Sequence, residues 1–349
     1  MTRKTINLAL QGGGAHGAFT WGALDRLLDD ERIEIEGITG TSAGALNGAA
    51  LKAGWVTGGR EGAKASLAEF WGEMTVEMSL PGEAVREWLA AFAPGTEVLS
   101  QMIEASPAFL FGEALARNLS PYQLNPLNIH PLRPIVQRML DFDKVCASGG
   151  PKLFVCATNV RSGKVKVFSG DDITEDALLA SACLPTLYQA VEIDDPVTGR
   201  REAYWDGGYM GNPALFPLFY ETESSDIVIV HINPIERDHV PHTAREILNR
   251  INEISFNSSL LRELRAIDFV HQLIEKGAVT RGTMKDLKIH SVMDDKLMNQ
   301  LGVATKMTPD PTLIGRLFTA GHARMDAFLT EHWSSIGHKS SVDLRALFQ

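Results

Sequence analysis

Residues 6–50 read INLALQGGGAHGAFTWGALDRLLDDERIEIEGITGTSAGALNGAA, in which short apolar runs alternate with turns made of small residues. The apolar run at residues 6–10 predicts a buried strand, and residues 17–28 show apolar positions at helical spacing. A second strand is predicted over residues 33–39. An Ala- and Leu-rich helix is predicted over residues 43–53, stopped by the glycine that follows. This order predicts parallel strands with helices packed across them.

Two glycine-rich turns interrupt these elements, and their chemistry makes sense when they are taken together. The later turn, GTSAG at residues 40–44, has the G-x-S-x-G form of a nucleophile elbow, which exposes a serine hydroxyl between a strand and a helix. The earlier turn, GGGAHG at residues 12–17, offers backbone N–H groups that no side chain obstructs, as an oxyanion requires. A nucleophile beside such a loop lacks only a base to form an acyl-transfer site.

The earlier turn also fits a different chemistry. Gly12, Gly14 and Gly17 satisfy G-x-G-x-x-G after a strand and before a helix, which is the dinucleotide-binding fingerprint. Glu34 and Glu36 lie about where the ribose-binding acid of that fingerprint is expected. Against a cofactor, the second strand runs directly into the serine turn, which a dinucleotide site does not need. We therefore interpret the loop as an oxyanion loop and keep a dinucleotide-dependent oxidoreductase as an alternative.

Two residue types compete for the role of base. A Ser-His-Asp triad would use a histidine, but none of the candidates lies in a motif that brings it to the serine: His231, His239 and His242. Asp206 follows aromatic strand residues and precedes two glycines, which exposes a carboxylate at a strand end. Its ordinary pKa of about 3.9 leaves it ionised at neutral pH and able to accept a proton. Asp-Gly is also a common turn pair, so spacing alone leaves the base and turn interpretations of Asp206 open.

Together with DGG at residues 206–208, the two turns resemble the patatin-like phospholipases, in which the three motifs occur in this order. The resemblance extends over roughly residues 5–215, and SACLP at residues 181–185 is similar to a stretch that the family carries between elbow and aspartate. It implies an α/β fold of the patatin-like three-layer α/β/α type, with a mainly parallel central sheet. It also implies hydrolysis of lipid acyl esters, and the scheme requires neither a metal nor a cofactor.

The resemblance assigns roles residue by residue. It makes Ser42 the nucleophile and Asp206 the base, with an acyl-enzyme intermediate. The oxyanion hole is assigned to Gly12, Gly13, Gly14 and Ala15, and supporting positions are His16, Gly17, Gly40, Gly44 and Gly207. His16 is a departure, because the family commonly carries Arg or Lys there. A histidine that is neutral at pH 7 would remove the positive charge of the loop.

The implied domain organisation has a catalytic domain over residues 5–215 and a mainly helical extension over residues 216–349. Within the first, residues 60–140 predict a helical cap-like insertion over the site, with ordinary helical packing as the alternative. The extension begins with a strand at residues 227–232, which completes the sheet, and we expect it to pack on the same domain. Further elements are predicted at residues 82–93, 131–140, 152–158, 164–168, 177–182, 243–276 and 312–333.

Composition narrows the partners of this chain of 349 residues. A net charge of −10 argues against nucleic acid and against strong attraction to anionic membranes, so that lipid contact should be mainly apolar. Its three cysteines, Cys146, Cys156 and Cys183, form no C-x-x-C pair and predict small core residues in a reducing compartment. No apolar stretch approaches the length of a membrane span, and we expect a cytoplasmic protein with peripheral membrane contact.

The expected substrate is a phospholipid or another acyl-ester lipid. A soluble carboxylesterase or thioesterase using the same dyad is one alternative, and a catalytically silent lipid-binding protein is another. The sequence leaves open the head group, the acyl length and position, and the oligomeric state.

Overall fold

A computed structural model of the chain describes residues 3–78, 106, 118–237 and 240–349. These residues form one mixed sheet of eight strands. The strands are β1 (Lys4–Leu10), β2 (Ile33–Thr41), β3 (Lys152–Asn159), β4 (Val165–Ser169), β5 (Val191–Asp195), β6 (Arg200–Asp206), β7 (Asp226–Val230) and β8 (Lys288–Val292). Their order is β5-β6-β3-β2-β1-β7-β8, with β4 pairing β3.

Five neighbouring strands, β3, β2, β1, β7 and β8, are parallel, and they define a carboxyl edge and an amino edge of the sheet. At the carboxyl edge, β1 ends in the glycine loop and β2 ends in the serine turn. β4 and β6 run antiparallel to β3, and β5 runs antiparallel to β6. The two motifs at residues 12–17 and 40–44 therefore lie side by side, because parallel strands carry the chain to the same edge.

Helices cover both faces of the sheet. They are α1 (Gly17–Leu28), α2 (Ala43–Met78), α3 (Pro121–Leu124), α4 (Leu132–Met139), α5 (Phe142–Val145), α6 (Glu175–Ser181), α7 (Phe216–Glu221), α8 (Ala244–Glu275), α9 (Asp295–Met298), α10 (Val303–Met307), α11 (Pro311–His332) and α12 (Leu344–Phe348). α2 has non-helical backbone at Gly58 and Gly59, where two helical segments join.

The core has two layers because successive strand residues point to opposite faces of the sheet. Leu8 and Leu10 of β1 belong to one buried cluster, which includes apolar side chains of α1, α2 and α11. Ala9 belongs to a second cluster, together with side chains of β7, α7 and α8. The protein is thus a three-layer α/β/α sandwich with a helical C-terminal region, as the resemblance implied.

The strand and helix pattern of residues 6–50 is largely confirmed, and α1 spans the predicted residues. One boundary is wrong, because the helix after the serine turn does not stop at Gly54. That glycine faces the backbone of Gly62 instead, which lets the two segments of α2 pack closely. β5 and β8 were not predicted, since β8 (KIHSV) is short and carries polar residues among its apolar ones. The helix expected at residues 82–93 lies outside the described residues, and so does nearly half of the predicted cap, at residues 79–105 and 107–117.

Candidate active site

Ser42 occupies a strained turn between β2 and α2. Its φ of 53° is positive, a conformation that non-glycine residues rarely adopt and that is found at nucleophile elbows. The turn also brings backbones together, because a Cβ on Gly44 would collide with the carbonyl oxygen of Leu10, and one on Gly40 with Gly44. Both glycines of G-x-S-x-G are therefore required by close approach. The Ser42 side chain is 8% exposed, at the carboxyl edge of the sheet.

A second serine holds the elbow in place. The backbone N–H of Ser42 donates to the Ser181 hydroxyl oxygen at 2.8 Å, and that hydroxyl donates to the Cys156 carbonyl at 2.6 Å. Ser181 is fully buried at the end of α6. The SACLP stretch at residues 181–185, which sequence could only compare with a family, thus contains the residue that ties the elbow to β3.

Strand β3 explains how two residues distant in sequence meet. Thr41, the last residue of β2, pairs with Cys156 of β3, and Asp206, the last residue of β6, pairs with Ala157. β4 occupies one edge of β3 over these positions. β6 therefore pairs with the other edge, where the pairing with β2 ends at Cys156 and the pairing with β6 begins at Ala157. Two adjacent residues of β3 therefore bring Asp206 close to Thr41, the residue before Ser42. The Ser42 side chain lies close enough to the Asp206 carboxyl group to lower its pKa.

Asp206 is buried, and its carboxylate accepts few hydrogen bonds from the protein. Its side chain is 1% exposed, and it accepts a hydrogen bond from the Gly208 N–H at 2.7 Å. Desolvation raises its pKa to about 7, and the bonds from Gly208 and Ser42 offset this only in part. Gly207 lies where a Cβ would collide with the Cys156 carbonyl, so the chain can turn immediately after the carboxylate. A carboxylate with a pKa near neutrality is well matched to proton transfer.

The glycine loop presents unpaired N–H groups toward this pair. Gly12 lies against Ser42, since a Cβ on it would stand 2.7 Å from the serine Cβ, and its own N–H donates to Asn212 Oδ1 at 2.7 Å. Within the described residues, the N–H groups of Gly13 and Gly14 have no acceptor. Gly14 has a φ of 59°, at the start of a 3₁₀ turn that ends at His16. Among the described residues the free donors are thus Gly13, Gly14 and Ala15, whereas the Gly12 N–H is already bound.

Buried amide side chains fix the loop from behind. Besides its contact with the Gly12 N–H, Asn212 offers its backbone oxygen to Gln11 Nε2 at 3.3 Å. Asn233 Nδ2 donates to the Gly12 carbonyl at 2.7 Å, and Gln11 Oε1 accepts from the Ile232 and Asn233 N–H groups. Asn212, Asn233 and Asn257 are outside every sequence motif, so sequence reasoning missed them. Among these residues, only Gln11 lies next to a sequence motif, directly before the glycines, so that a role in holding the loop could be expected from its position.

His16 supports the loop as a neutral residue. Burial is the largest of the causes that lower its pKa well below the ordinary value, and Lys306 and Arg237 lower it further. Its Nε2 lies 2.8 Å from Thr305 Oγ1, whose hydroxyl already donates to the Gly302 carbonyl at 2.7 Å. The Nε2–H must therefore be the donor to Thr305. This contact docks the glycine loop on α10, and the loop carries no charge from its histidine.

The competing bases and the dinucleotide acids lie elsewhere. His231 is buried at the end of β7 against Ser291, and burial lowers its pKa to about 4. His242 is exposed before α8, and His239 lies outside the described residues. Glu34 pairs in register with Thr5, and Glu36 lies at the amino end of β2, away from the glycine loop. None of these positions favours a triad or a ribose contact.

Within the described residues, one cluster has the spacing of metal ligands: Asp25, Asp29 and His322. The ammonium of Lys64 already lies between its two carboxylates, at 2.5 Å from Asp29 and 3.7 Å from Asp25. The ammonium group of Lys64 thus occupies the place between the carboxylates that a metal ion would take. The described helices also include none with the length and apolarity needed to cross a bilayer.

One of the comparisons with known proteins identifies a family. A family model described as patatin-like phospholipase matches residues 8–219 of the chain. No curated protein is significantly similar to the chain in sequence. Among solved structures, the chain is similar to VipD from Legionella pneumophila at 14% identity, over 95% of this chain and 67% of that one, with a TM-score of 0.40. A likeness this distant carries no argument.

Proposed function

The chain belongs to the patatin-like phospholipase family, and we propose that it hydrolyses fatty acyl esters of phospholipids or lysophospholipids through a Ser42–Asp206 dyad. The observation that carries the proposal is that a serine held at positive φ lies beside a buried carboxyl group, whose pKa burial raises to about 7 and the serine side chain lowers in part. Nucleophile and base side chains within hydrogen-bond reach are the signature of covalent catalysis.

In the first step, ionised Asp206 accepts the Ser42 proton while the serine oxygen attacks the ester carbonyl. Negative charge then develops on the carbonyl oxygen, where preorganised donors stabilise a transition state most. We assign those donors to the N–H groups of Gly13 and Gly14. Gly12 takes a different part, because its N–H is bound to Asn212 and its missing side chain lets the loop approach Ser42. The role of Ala15 stays a prediction.

In the second step, the alcohol or lysolipid leaves with the proton that Asp206 holds, and the fatty acyl group remains on Ser42. Asp206 then takes a proton from water, whose oxygen attacks the acyl-enzyme. When the second tetrahedral intermediate collapses, the fatty acid is released and the Ser42 oxygen takes that proton back from Asp206. The same carboxyl group thus alternates between base and acid, for which a pKa near the working pH is favourable. His16, Gly17, Gly40, Gly44 and Gly207 shape the turns and take no part in proton transfer.

A fluorophosphonate probe tests the nucleophile. We expect the folded wild-type protein to be labelled at Ser42, as located by peptide mass, and Ser42→Ala to remain unlabelled. Ser162→Ala, which changes an exposed serine in the β3–β4 turn, should be labelled like the wild type. Folded protein that the probe does not label at Ser42 would support the silent lipid-binding alternative and overturn the proposal.

The substrate class needs a separate measurement. Hydrolysis of micellar phospholipid is compared with hydrolysis of a short-chain nitrophenyl ester, and we expect a steep preference for the aggregated lipid. A preference for the monomeric ester would instead indicate the soluble carboxylesterase or thioesterase alternative. The dyad would stand in that case, and the lipid part of the proposal would fall.

A further inference from the structure

The first half of α8 turns apolar side chains toward solvent. Ile247, Leu248, Ile251 and Ile254 recur at helical spacing on one face, and their exposures lie between 42% and 55%. We call these four residues the α8 face. On the inward side of the same turns, Glu253 is buried in an ion pair. A helix on the surface of a soluble domain normally has the reverse arrangement, apolar inside and polar outside.

The second half of the same helix is arranged normally. Leu260, Leu264 and Ile267 are buried in the core beneath the sheet, whereas Arg262 and Arg265 face solvent. The inversion is therefore confined to the beginning of α8 and is not a property of a poorly packed helix. Contiguous exposed apolar side chains of this kind mark interaction surfaces.

The beginning of α8 lies against the proposed active site. The Phe256 ring packs on Gly208 and stands edge-on to Tyr209 at 5.1 Å between ring centres. The next residue, Asn257, accepts a hydrogen bond at its Oδ1 from Gln11, which lies directly before the glycine loop, at 3.2 Å. The helical segment that carries the α8 face is thus in contact, through Phe256 and Asn257, with the turn that follows Asp206 and with the residue before the glycine loop.

A second exposed apolar group is attached to the same site. Its members are Leu119, Tyr122, Leu124, Leu127 and Ile129, with exposures from 36% to 81%. The Ala190 N–H donates to the Tyr122 hydroxyl, and the Gln189 side chain donates to the Asn125 carbonyl at 2.7 Å. Gln189 and Ala190 lie in the loop between α6 and β5. The same loop contains Cys183, whose carbonyl accepts a hydrogen bond from the Asp206 N–H at 2.8 Å. The loop at residues 183–190 thus links the second apolar group to the backbone of Asp206.

We propose that the α8 face docks on the surface of a neutral, zwitterionic lipid aggregate and holds the active site against it. The proposal rests on the proposed function, because a lipid acyl hydrolase must take its substrate from such an aggregate. Its affinity comes from apolar side chains entering the interface between head groups and acyl chains, as for other interfacial helices. The second apolar group would contact the same surface from its own side of the site.

The preference for a neutral surface follows from charge. The chain carries a net charge of −10, which repels anionic lipid. Among the polar positions of the segment that carries the α8 face, Asn249, Asn252 and Ser255 are uncharged, and Arg245 and Glu246, directly before Ile247, carry opposite charges. Arg250, which is close by, is paired with Glu253 at 3.3 Å and donates to the Ile235 carbonyl. Apolar contact is therefore the main attraction, and phosphatidylcholine should be bound better than phosphatidylglycerol.

The test separates docking from catalysis. In a Ser42→Ala background, cosedimentation with phosphatidylcholine vesicles measures binding of the full chain with and without Ile251→Asp/Ile254→Asp. With Ser42 intact, the same double variant is assayed on vesicle phospholipid and on a monomeric nitrophenyl ester. The matched control is Phe269→Asp, which changes an apolar residue of the same helix that is 60% exposed but lies in the second half. Size-exclusion chromatography of each protein records its oligomeric state.

We expect the double variant to lose vesicle binding and vesicle hydrolysis by more than about tenfold, with hydrolysis of the monomeric ester unchanged. Phe269→Asp should behave like the wild type. Vesicle binding that the double variant retains would overturn the proposal, as would a wild-type dimer that the double variant dissociates, since a second copy would then cover the α8 face. A wild type that binds vesicles but hydrolyses neither substrate would leave docking supported and overturn the proposed function alone.

Discussion

At the amino edge of the sheet, the Glu36 carboxylate has fixed hydrogen-bond partners, whereas at the carboxyl edge the Asp206 carboxylate has few, which suits the base role proposed for it. Glu36 accepts hydrogen bonds from the Glu223 and Ser224 N–H groups, both at 2.7 Å, which fasten the turn before β7. Asp206 has one backbone donor and the Ser42 side chain, and the described residues place no cation beside it. A carboxylate stays reactive where its surroundings do not satisfy it fully.

Cavity size does not distinguish the two edges. A cavity of about 870 Å³ opens at the amino edge, among the first residues of the parallel strands, including Thr5, Glu34 and Lys152. Its polar groups are largely occupied by structural bonds, such as the one between Asp226 and His290 at 2.9 Å. The proposed chemistry lies at the other edge. Unpaired backbone donors and a desolvated carboxylate are therefore better guides to the site than volume.

The largest effect is expected from Asp206→Asn, which removes the base. Hydrolysis should fall by roughly 10³-fold or more, because an amide cannot accept the serine proton. In the wild type, kcat/KM should rise with pH through a midpoint near 7, as the buried carboxyl group ionises. Glu263→Gln is the control, since burial also raises the pKa of Glu263 to about 7 but its carboxylate binds the Leu215 and Phe216 N–H groups at α7. A midpoint that moves with Glu263 would contradict the assignment.

Asp206→Asn should also stabilise the fold at high pH. The pKa of Asp206 is about 7 in the folded protein, above the ordinary value that it has in the unfolded chain. Between these values the folded state binds the extra proton, so stability falls as pH rises through this window. The variant lacks this loss and should be up to about 4 kcal/mol more stable than wild type at pH 8, with little difference near pH 4. Chemical denaturation at both pH values checks the sign.

The next largest effect on activity is expected from Asn212→Ala, compared with the same substitution of another buried asparagine, Asn7. Asn212→Ala leaves the Gly12 N–H without its acceptor and loosens the oxyanion loop, so kcat should fall by about 10- to 100-fold. Asn7→Ala is the matched control at the amino edge, where Asn7 Nδ2 donates to Thr222 and Ser224. Both variants should lose about 1–3 kcal/mol of stability. Equal losses of kcat in the two would show that Asn212 acts only through stability.

Sequence predicted the proposed catalytic residues better than the buried residues that hold them in place. Ser42 and the glycine loop lie in local motifs, because a tight turn and an exposed hydroxyl need particular residues at fixed spacing. For Asp206, the interpretations as a base and as a turn residue both stayed open until the family resemblance favoured the base. No local sequence pattern shows that β3 aligns Asp206 with Ser42. Asn212 and Asn233 carry no local signal, because their role depends on buried hydrogen bonds across the fold. The free Gly13 donor is likewise a property of packing.

A smaller effect is expected from Glu36→Gln, which makes the same chemical change as Asp206→Asn at the opposite edge. Here the carboxylate accepts two backbone hydrogen bonds, and an amide can accept only through one oxygen. The variant should lose about 1–2 kcal/mol of stability while activity stays within about twofold of wild type. The two substitutions therefore have opposite signs for stability at pH 8. A loss of activity in Glu36→Gln that exceeds its loss of folded protein would break the comparison.

The smallest effect is expected from His16→Gln. His16 is neutral because burial lowers its pKa well below the ordinary value, and it serves by donating to Thr305. A glutamine amide can make the same donation, so the midpoint of the kcat/KM profile should stay within about 0.3 pH units of the wild type. If His16 instead contributed a positive charge near Asp206, its removal would raise the pKa of the carboxyl group, and the shift would shrink as salt is added. An unchanged midpoint at low and high salt would show that the loop works through its backbone donors, with no charge at position 16.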